Sequence, residues 1–239
     1  MRIELTEKPK NPIILEGFPG FGFVATIATK YLLEHLKFKP IGRIWSKDLT
    51  PLAIIHNQTV IQPLEIFYNK EYNLVLVQAL AGVAELEWEV ADVLVSLYKK
   101  LGAKEIISIE GIGSPIEREK PEAYYYTNVD AKKEQLEKIG LNPLKEGIIL
   151  GVSGALMLSL PKEIKATFIF AETHSKLPDS RAAAKIIEML DKYLGLKVEY
   201  KPLIKEATKF EETLRKLLEQ TQEATVEKKK REEIAKYIS

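Results

Sequence analysis

The sequence predicts an α/β protein with a mostly parallel sheet that helices cover on both faces. Short apolar segments, typical of buried strands, alternate along the chain with segments whose apolar residues recur at helical spacing. Glycine-rich turns stand where strands end and helices begin, as in residues 16–22 and 151–154. Because strands that alternate with helices usually pair in parallel, these observations favour a layered α/β fold.

The first strand–helix–strand unit is predicted over residues 12–45. Residues 12–16 are apolar up to Glu16 and predict a short buried strand. Residues 22–36 predict a helix with one buried face, because apolar side chains recur there every three or four positions. Residues 41–45 predict the next strand.

A strand-rich segment and a long helix follow. Residues 52–77 predict four short strands added to the parallel core as hairpins, since turn residues such as Asn57 and Asn69 separate them. Residues 85–101 predict a helix, and Gly102 is placed to end it in the left-handed conformation.

The second half of the chain predicts the rest of the sheet. Its elements are, in order, a central strand (106–109), a strand (124–126), a short helix (131–139), an apolar helix (151–158) and a strand (166–171). Asp179 is placed to cap a further helix, which Gly195 ends. After Pro202 helical spacing continues into a charged tail, so we expect an α/β sandwich domain over residues 1–202 and a C-terminal helical extension over residues 203–239.

Composition excludes several classes of function. The net charge is +1, so no bulk field favours nucleic acid or an anionic membrane. The chain has no cysteine, which excludes disulfides, thiolate zinc sites and a cysteine nucleophile. His35, His56 and His174 lack the spacing of metal ligands. We therefore expect no metal and no cofactor. Abundant Lys and Glu favour a heat-adapted source, and the absence of a signal peptide or membrane span favours a cytoplasmic location.

The turn at residues 16–22 admits two interpretations. Its glycines, Gly17, Gly20 and Gly22, stand at the start of a helix, where free N–H groups could bind a phosphate. However, their G-x-x-G-x-G spacing is not the dinucleotide fingerprint, and Pro19 lacks an N–H group. The phenylalanines around them indicate apolar contact, which favours a structural or interface turn.

An enzyme site is the alternative interpretation of a second region. Glu172, His174 and Asp179 lie close together where a strand ends, which is where α/β proteins often place function. Ser114 and Ser153 are the serines in suitable glycine turns, but neither lies in a nucleophile-elbow motif. The structural interpretation is that Asp179 caps a helix and Glu172 binds loop amides.

Two blocks together resemble the proteasome assembly chaperone family of the second type, in its archaeal branch. The first is Glu-Gly-Phe-Pro-Gly-Phe-Gly-Phe-Val at residues 16–24. The second comprises Gly-Val-Ser-Gly-Ala-Leu at residues 151–156, Ala-Glu-Thr at 171–173 and Pro-Asp-Ser-Arg-Ala-Ala at 178–183. The resemblance covers roughly residues 12–218.

The resemblance implies a three-layer α/β/α sandwich akin to nucleoside phosphorylases or hydrolases, without their catalytic residues. It implies a non-enzymatic, ATP-independent factor that forms homo-oligomers and binds the proteasome core particle through its α-subunits. It also implies that Gly17, Pro19, Gly20 and Gly22 form a scaffold or interface turn. The residues that carry this resemblance therefore favour an assembly or activation role.

The end of the chain supplies a candidate contact. Proteasome-binding partners commonly end in a hydrophobic residue, a tyrosine and any residue. Here the last residues are Tyr237, Ile238 and Ser239, and Lys236 precedes them, so the motif is shifted by one residue and lacks its hydrophobic member. Two other functions stay open: a phosphorylase- or hydrolase-type enzyme that uses the glycine turn with Glu172 or His174, and a purely structural oligomer.

Overall fold

The structure is a computed structural model that describes residues 1–56, 58–80, 83–114, 120–173 and 177–203. Nine strands form one mixed sheet, whose members in chain order are β1 (Arg2–Leu5), β2 (Ile13–Gly17), β3 (Phe38–Trp45), β6 (Leu64–Asn69), β7 (Leu74–Ala79), β8 (Glu105–Gly113), β9 (Ala123–Thr127), β10 (Asn142–Pro143) and β11 (Ala166–Thr173). A separate hairpin consists of β4 (Ile54–His56) and β5 (Thr59–Ile61). The helices are α1 (Val24–His35), α2 (Glu87–Leu101), α3 (Lys133–Lys138), α4 (Gly151–Ser159) and α5 (Ser180–Leu194).

The centre of the sheet is parallel. The strand order is β1-β3-β6-β7-β2-β8-β11-β9-β10, and the four neighbours β7, β2, β8 and β11 all run in the same direction. Towards one edge β6, β3 and β1 pair antiparallel, and on the other side β9 runs antiparallel to β11. This confirms the predicted fold class, with hairpin strands added to a parallel core.

Helices cover both faces of the sheet. Helices α1 and α5 pack together on one face, and α2 and α4 pack together on the other. Neighbouring strand residues therefore enter different cores: Leu15 and Ile107 face α1 and α5, whereas Ile14 and Ile106 face α2 and α4. We call these the α1–α5 face and the α2–α4 face.

Local signals in the sequence fix several helix ends. Asp179 Oδ1 accepts hydrogen bonds from the backbone N–H groups of Arg181 and Ala182, which confirms the predicted cap of α5. Gly102 and Gly195 are left-handed, with φ values of 59° and 67°, and end α2 and α5 as predicted. No helix in the described part of the chain has both the length and the hydropathy that a membrane span requires.

Several elements differ from the sequence prediction. Strand β1 was not predicted; it forms because Arg2–Leu5 pairs antiparallel with β3, and it becomes an edge strand of the sheet. Strand β10, which pairs in parallel with β9, was not predicted either. Strand β8 continues to Gly113, whereas the sequence predicted a strand over residues 106–109. The extension follows from its pairing with β11, which reaches Thr173 opposite Gly113. The predicted C-terminal extension lies outside the described residues after residue 203.

Candidate functional site

The glycine turn packs closely against the ends of the central strands. A Cβ atom on Gly20 would lie 2.7 Å from Glu110 Oε1 of β8. Gly22 has a φ of +64°, and a Cβ atom there would lie 2.6 Å from Thr173 Oγ1 of β11. Gly22 favours glycine because its backbone is left-handed and Thr173 lies close, whereas a Cβ atom on Gly20 would require the Glu110 side chain to shift. The turn is therefore fitted to the sheet beneath it.

The same packing leaves little room for an anion. A Cβ atom on Gly17 would lie 2.6 Å from Thr29 Cγ2, so β2 also contacts α1 closely, and Pro19 is half-buried. The first residues of α1, Val24 to Thr26, are at most 2% exposed. A phosphate at this helix N-terminus would have to displace packed side chains, in contrast with an open phosphate-binding loop.

A pair of buried carboxyl groups lies under the turn. Glu16, the residue before the end of β2, has a fully buried side chain and pairs in register with Ser108 of β8. Glu110 follows two residues after Ser108, so all three side chains project to the α2–α4 face. From α4, the hydroxyl of Ser153 reaches Ser108 Oγ at 2.9 Å. Two carboxyl groups and two hydroxyl groups thus form one polar cluster in the core.

Three carboxylate oxygens of this cluster are buried without a hydrogen-bond partner among the described residues. Neither carboxylate oxygen of Glu16 accepts a hydrogen bond of normal geometry, and Oε2 of Glu110 is likewise buried without a donor. Burial raises the pKa of Glu16 to about 8, with a smaller increase from the charge of Glu110; the Ser108 hydroxyl opposes it. Burial also raises the pKa of Glu110 to about 7, against the opposing effect of Ser153. Both carboxyl groups are therefore poised near neutral pH.

The comparisons with known proteins match this arrangement to a family. The PAC2 family model matches residues 14–218, a range that contains the glycine turn, the buried carboxyl pair and all five helices. The chain belongs to the PAC2 family. This confirms the resemblance that the two sequence blocks indicated.

Solved structures and a curated relative support the assignment of this PAC2-family chain. It is 32% identical to Pyrococcus furiosus PbaA, described as an archaeal homolog of proteasome-assembly chaperone, with a TM-score of 0.84 over 94% of this chain and 100% of the other. P. furiosus PbaB, described as an archaeal proteasome activator, shares the fold at 23% identity and a TM-score of 0.75, over 90% of this chain and 98% of the other. An uncharacterized protein of Methanocaldococcus jannaschii is 27% identical, over 91% of this chain and 92% of its own length.

The structure separates the acidic residues that the sequence placed together at the end of β11. Thr173 Oγ1 donates to Asp179 Oδ2 at 2.8 Å, so Asp179 serves both that strand and the cap of α5. Glu172 instead projects to the other face, where Tyr124 donates to its Oε1 at 3.1 Å and to Glu122 Oε2 at 2.9 Å. Burial and these two carboxylates raise the pKa of Tyr124. Glu172 and Asp179 therefore do not form one site in this PAC2-family chain.

The remaining candidates lie apart. His35 stacks on Tyr31 with ring centroids 3.7 Å apart, which is a packing role. The side chain of His56, all of His174 and the tail residues Tyr237, Ile238 and Ser239 lie outside the described residues. In the described parts of the chain, no three His, Asp or Glu residues form a metal-binding group.

The serine candidates are placed differently. Ser153 contacts Ser108, and the backbone N–H of Ser114 donates to the carbonyl oxygen of Thr173 at 2.8 Å. The sequence analysis treated Glu16 only as part of the glycine turn and missed its association with Glu110. The available signal was the position of Glu16 directly after three apolar residues of a buried strand.

Proposed function

We propose that this chain is a non-enzymatic, ATP-independent binding protein that engages the archaeal proteasome core particle or its subunits and assists their assembly or activation. The observation that carries the proposal is the likeness to PbaA, at 32% identity over 94% of the chain. Membership of the PAC2 family supports it over most of the sequence. The fold likeness to PbaB is compatible with an activation role.

An exposed apolar surface around α4 suits such a role. Residues 147–160 contain no charged side chain, and within them Ile148, Leu150 and Leu158 are 87%, 73% and 79% exposed. We call these three residues the α4 patch. On the neighbouring helix α2, Trp88 is also exposed. Large exposed apolar side chains without intervening charge are typical of protein-binding surfaces. We propose that the α4 patch is buried transiently on a partner.

The glycine turn supports a binding role over a phosphorylase or hydrolase role. A phosphate bound near Gly20 would lie next to Glu110, whose carboxylate would repel it. The start of α1 is also buried, so the N–H groups that would bind an anion are not accessible. We therefore propose that Gly17, Pro19, Gly20 and Gly22 serve the scaffold and its interfaces.

The finer parts of the proposal concern assembly and location. We propose that the chain acts in the cytoplasm as a homo-oligomer, with the sandwich domain of residues 1–202 as a rigid platform. The extension of residues 203–239 would supply further association surface. Its last residues, Tyr237, Ile238 and Ser239, are proposed to contact the α-subunits of the core particle.

Native mass spectrometry tests the proposal. The full chain is measured alone, with archaeal proteasome core particle and with free α-subunits, and the set is repeated with the chain cut after Glu223. We expect a discrete homo-oligomer that binds the particle or its α-subunits, and weaker binding after truncation. Binding that is unchanged by truncation would remove the tail from the proposal. A chain that binds neither proteasome form would overturn the function itself.

A further inference from the structure

Among the described residues, no lysine or arginine forms an ion pair with Glu16 or Glu110. The side chain of Glu16 is fully buried, and Oε2 of Glu110 is inaccessible to solvent. A different glutamate of the same strand shows the usual solution: Glu105, 1% exposed, is paired with the ammonium group of Lys132. Because an isolated buried carboxylate is strongly disfavoured, the pair must either hold protons or bind a cation.

The donor atoms around the pair are all oxygens. Glu16 and Glu110 contribute carboxylate oxygens, and Ser108 and Ser153 contribute hydroxyls that already lie 2.9 Å from each other. All-oxygen sites suit hard cations such as Mg²⁺ and Ca²⁺, whereas zinc and copper sites draw on imidazole or thiolate ligands. The chain has no cysteine, and no third acidic residue or histidine joins the cluster among the described residues.

We propose that Glu16 and Glu110, with the hydroxyl groups of Ser108 and Ser153, form a binding site for one hard divalent cation beneath the glycine turn. Two ionised carboxylates carry a charge that a single divalent ion neutralises, whereas a monovalent ion would leave one negative charge in the core. Both oxygens of Glu16 are buried without donors and are available as ligands. This inference is independent of the proposed proteasome role.

Gly20 has a defined place in this site. Its backbone closes over Glu110 so tightly that a Cβ atom would lie 2.7 Å from Oε1. A cation bound here would connect β2, β8 and α4, because each of these elements supplies at least one of the four side chains. Its binding would therefore stabilise the glycine turn and the start of α4 together.

Thermal unfolding of the full chain tests the site. The protein is treated with chelator, desalted and measured at neutral pH with MgCl₂, CaCl₂, or NaCl of equal ionic strength. We expect Mg²⁺ or Ca²⁺ to raise Tm saturably, by roughly 5–10 °C at about 100 times the Kd, and NaCl to have no such effect. Glu16→Gln and Glu110→Gln should abolish the shift, whereas Glu134→Gln, at an exposed position of α3, should keep it.

A second measurement keeps the proposal falsifiable even if a variant folds poorly. Equilibrium dialysis of the wild-type chain against Ca²⁺ or Mg²⁺, followed by elemental analysis, should find about one bound ion per chain. Wild-type protein that binds neither ion would overturn the proposal and leave the pair as a protonated cluster. A Tm shift of equal size in wild type, Glu16→Gln and Glu110→Gln would also overturn it, because the ion would then bind elsewhere.

Discussion

The two faces of the sheet differ in the partners that they give to their buried glutamates. On the α1–α5 face, Glu105 receives the ammonium group of Lys132, the hydroxyl of Thr167 at 2.5 Å and the hydroxyl of Tyr193 at 3.1 Å. On the α2–α4 face, Glu16 and Glu110 have no such set of donors. Since a compensated buried charge belongs to the scaffold, the difference indicates that the α2–α4 face is where a ligand can still act.

The solvent-facing surfaces of α5 and α4 also differ in charge. On α5, Glu188 pairs with Lys185 at 3.2 Å and with Lys192 at 2.6 Å, so this helix presents charge to solvent. Helix α4 has no charged residue and exposes Leu150 and Leu158 at its two ends. Among the described residues, the buried Glu105 of the α1–α5 face is paired, whereas the α2–α4 face leaves exposed apolar side chains and buried carboxylate oxygens without a partner. Four measurements test this difference.

The largest loss of stability is expected from removing Lys132, which pairs with the buried Glu105 on the α1–α5 face. Lys132→Met leaves Glu105 buried without its countercharge, which should lower the free energy of unfolding by about 3–5 kcal/mol. The neighbouring Lys133→Met is the matched control, because its ion pair with Asp130 is exposed and screened by solvent. Urea denaturation measures both. Equal, small losses would show that Glu105 does not depend on Lys132.

A somewhat smaller effect is expected in the turn that joins the two faces. Gly22→Ala introduces a left-handed alanine and a collision with Thr173 Oγ1, for a combined loss of about 2–4 kcal/mol. Gly151→Ala is the control: its φ is +70°, but a Cβ atom there meets nothing within 4 Å, so only the backbone cost of about 1–2 kcal/mol applies. If both variants lose the same amount in urea denaturation, the turn is not closely fitted to β11.

The smallest effect on stability at low pH is expected at Glu16. Because its pKa is about 8 in the folded chain, against 4.5 for an ordinary glutamate, the folded state holds a proton that the unfolded state releases. Below pH 4.5 the side chain is protonated in both states, and its contribution to the free energy of unfolding is fully present. As the pH rises from 4.5 towards about 8, this contribution is lost because only the unfolded state releases the proton. With chelator present, Glu16→Gln should change stability by about 1 kcal/mol or less below pH 4.5. It should also flatten the decline, so that the variant becomes more stable than the wild type as the pH rises towards neutral.

The control for this pH profile is Glu134→Gln, which removes an exposed carboxyl group and should leave the decline unchanged. Thermal unfolding across the pH range measures all three proteins. A Glu16→Gln variant whose stability falls with pH as steeply as that of the wild type would place the buried proton on another group.

Much of the fold could be predicted from local signals, whereas the site could not. Asp179, Gly102 and Gly195 act through neighbouring residues, so their capping roles follow from the sequence and are confirmed. The pairing of β1 with β3 and the contact between Ser108 and Ser153 depend on residues 39 to 45 positions apart, as in the hydrogen bonds of Arg43 with Glu4 and of the two serines. No periodicity carries such information.

The burial of Glu16 and Glu110 illustrates the same limit. Alternation along β2 places Glu16 on a buried face, but only the packed turn and α4 determine that no lysine or arginine of the described residues reaches it. Likewise, Glu172 and Asp179 are close in sequence, but the alternation of side chains at the end of β11 sends them to different faces. Proximity along the chain was therefore a poor guide to the site.

The proposed proteasome-binding surface lies on the α2–α4 face. The most direct test is a binding titration of the full chain against immobilised archaeal proteasome core particle, with wild type, Leu150→Ser/Leu158→Ser and Lys192→Ser compared side by side. The account predicts saturable binding by wild type and by Lys192→Ser on the α1–α5 face, and a loss of at least about tenfold in affinity, or about 1.4 kcal/mol, for the double variant. Absence of binding by wild type, or equal affinity of all three proteins, would contradict it.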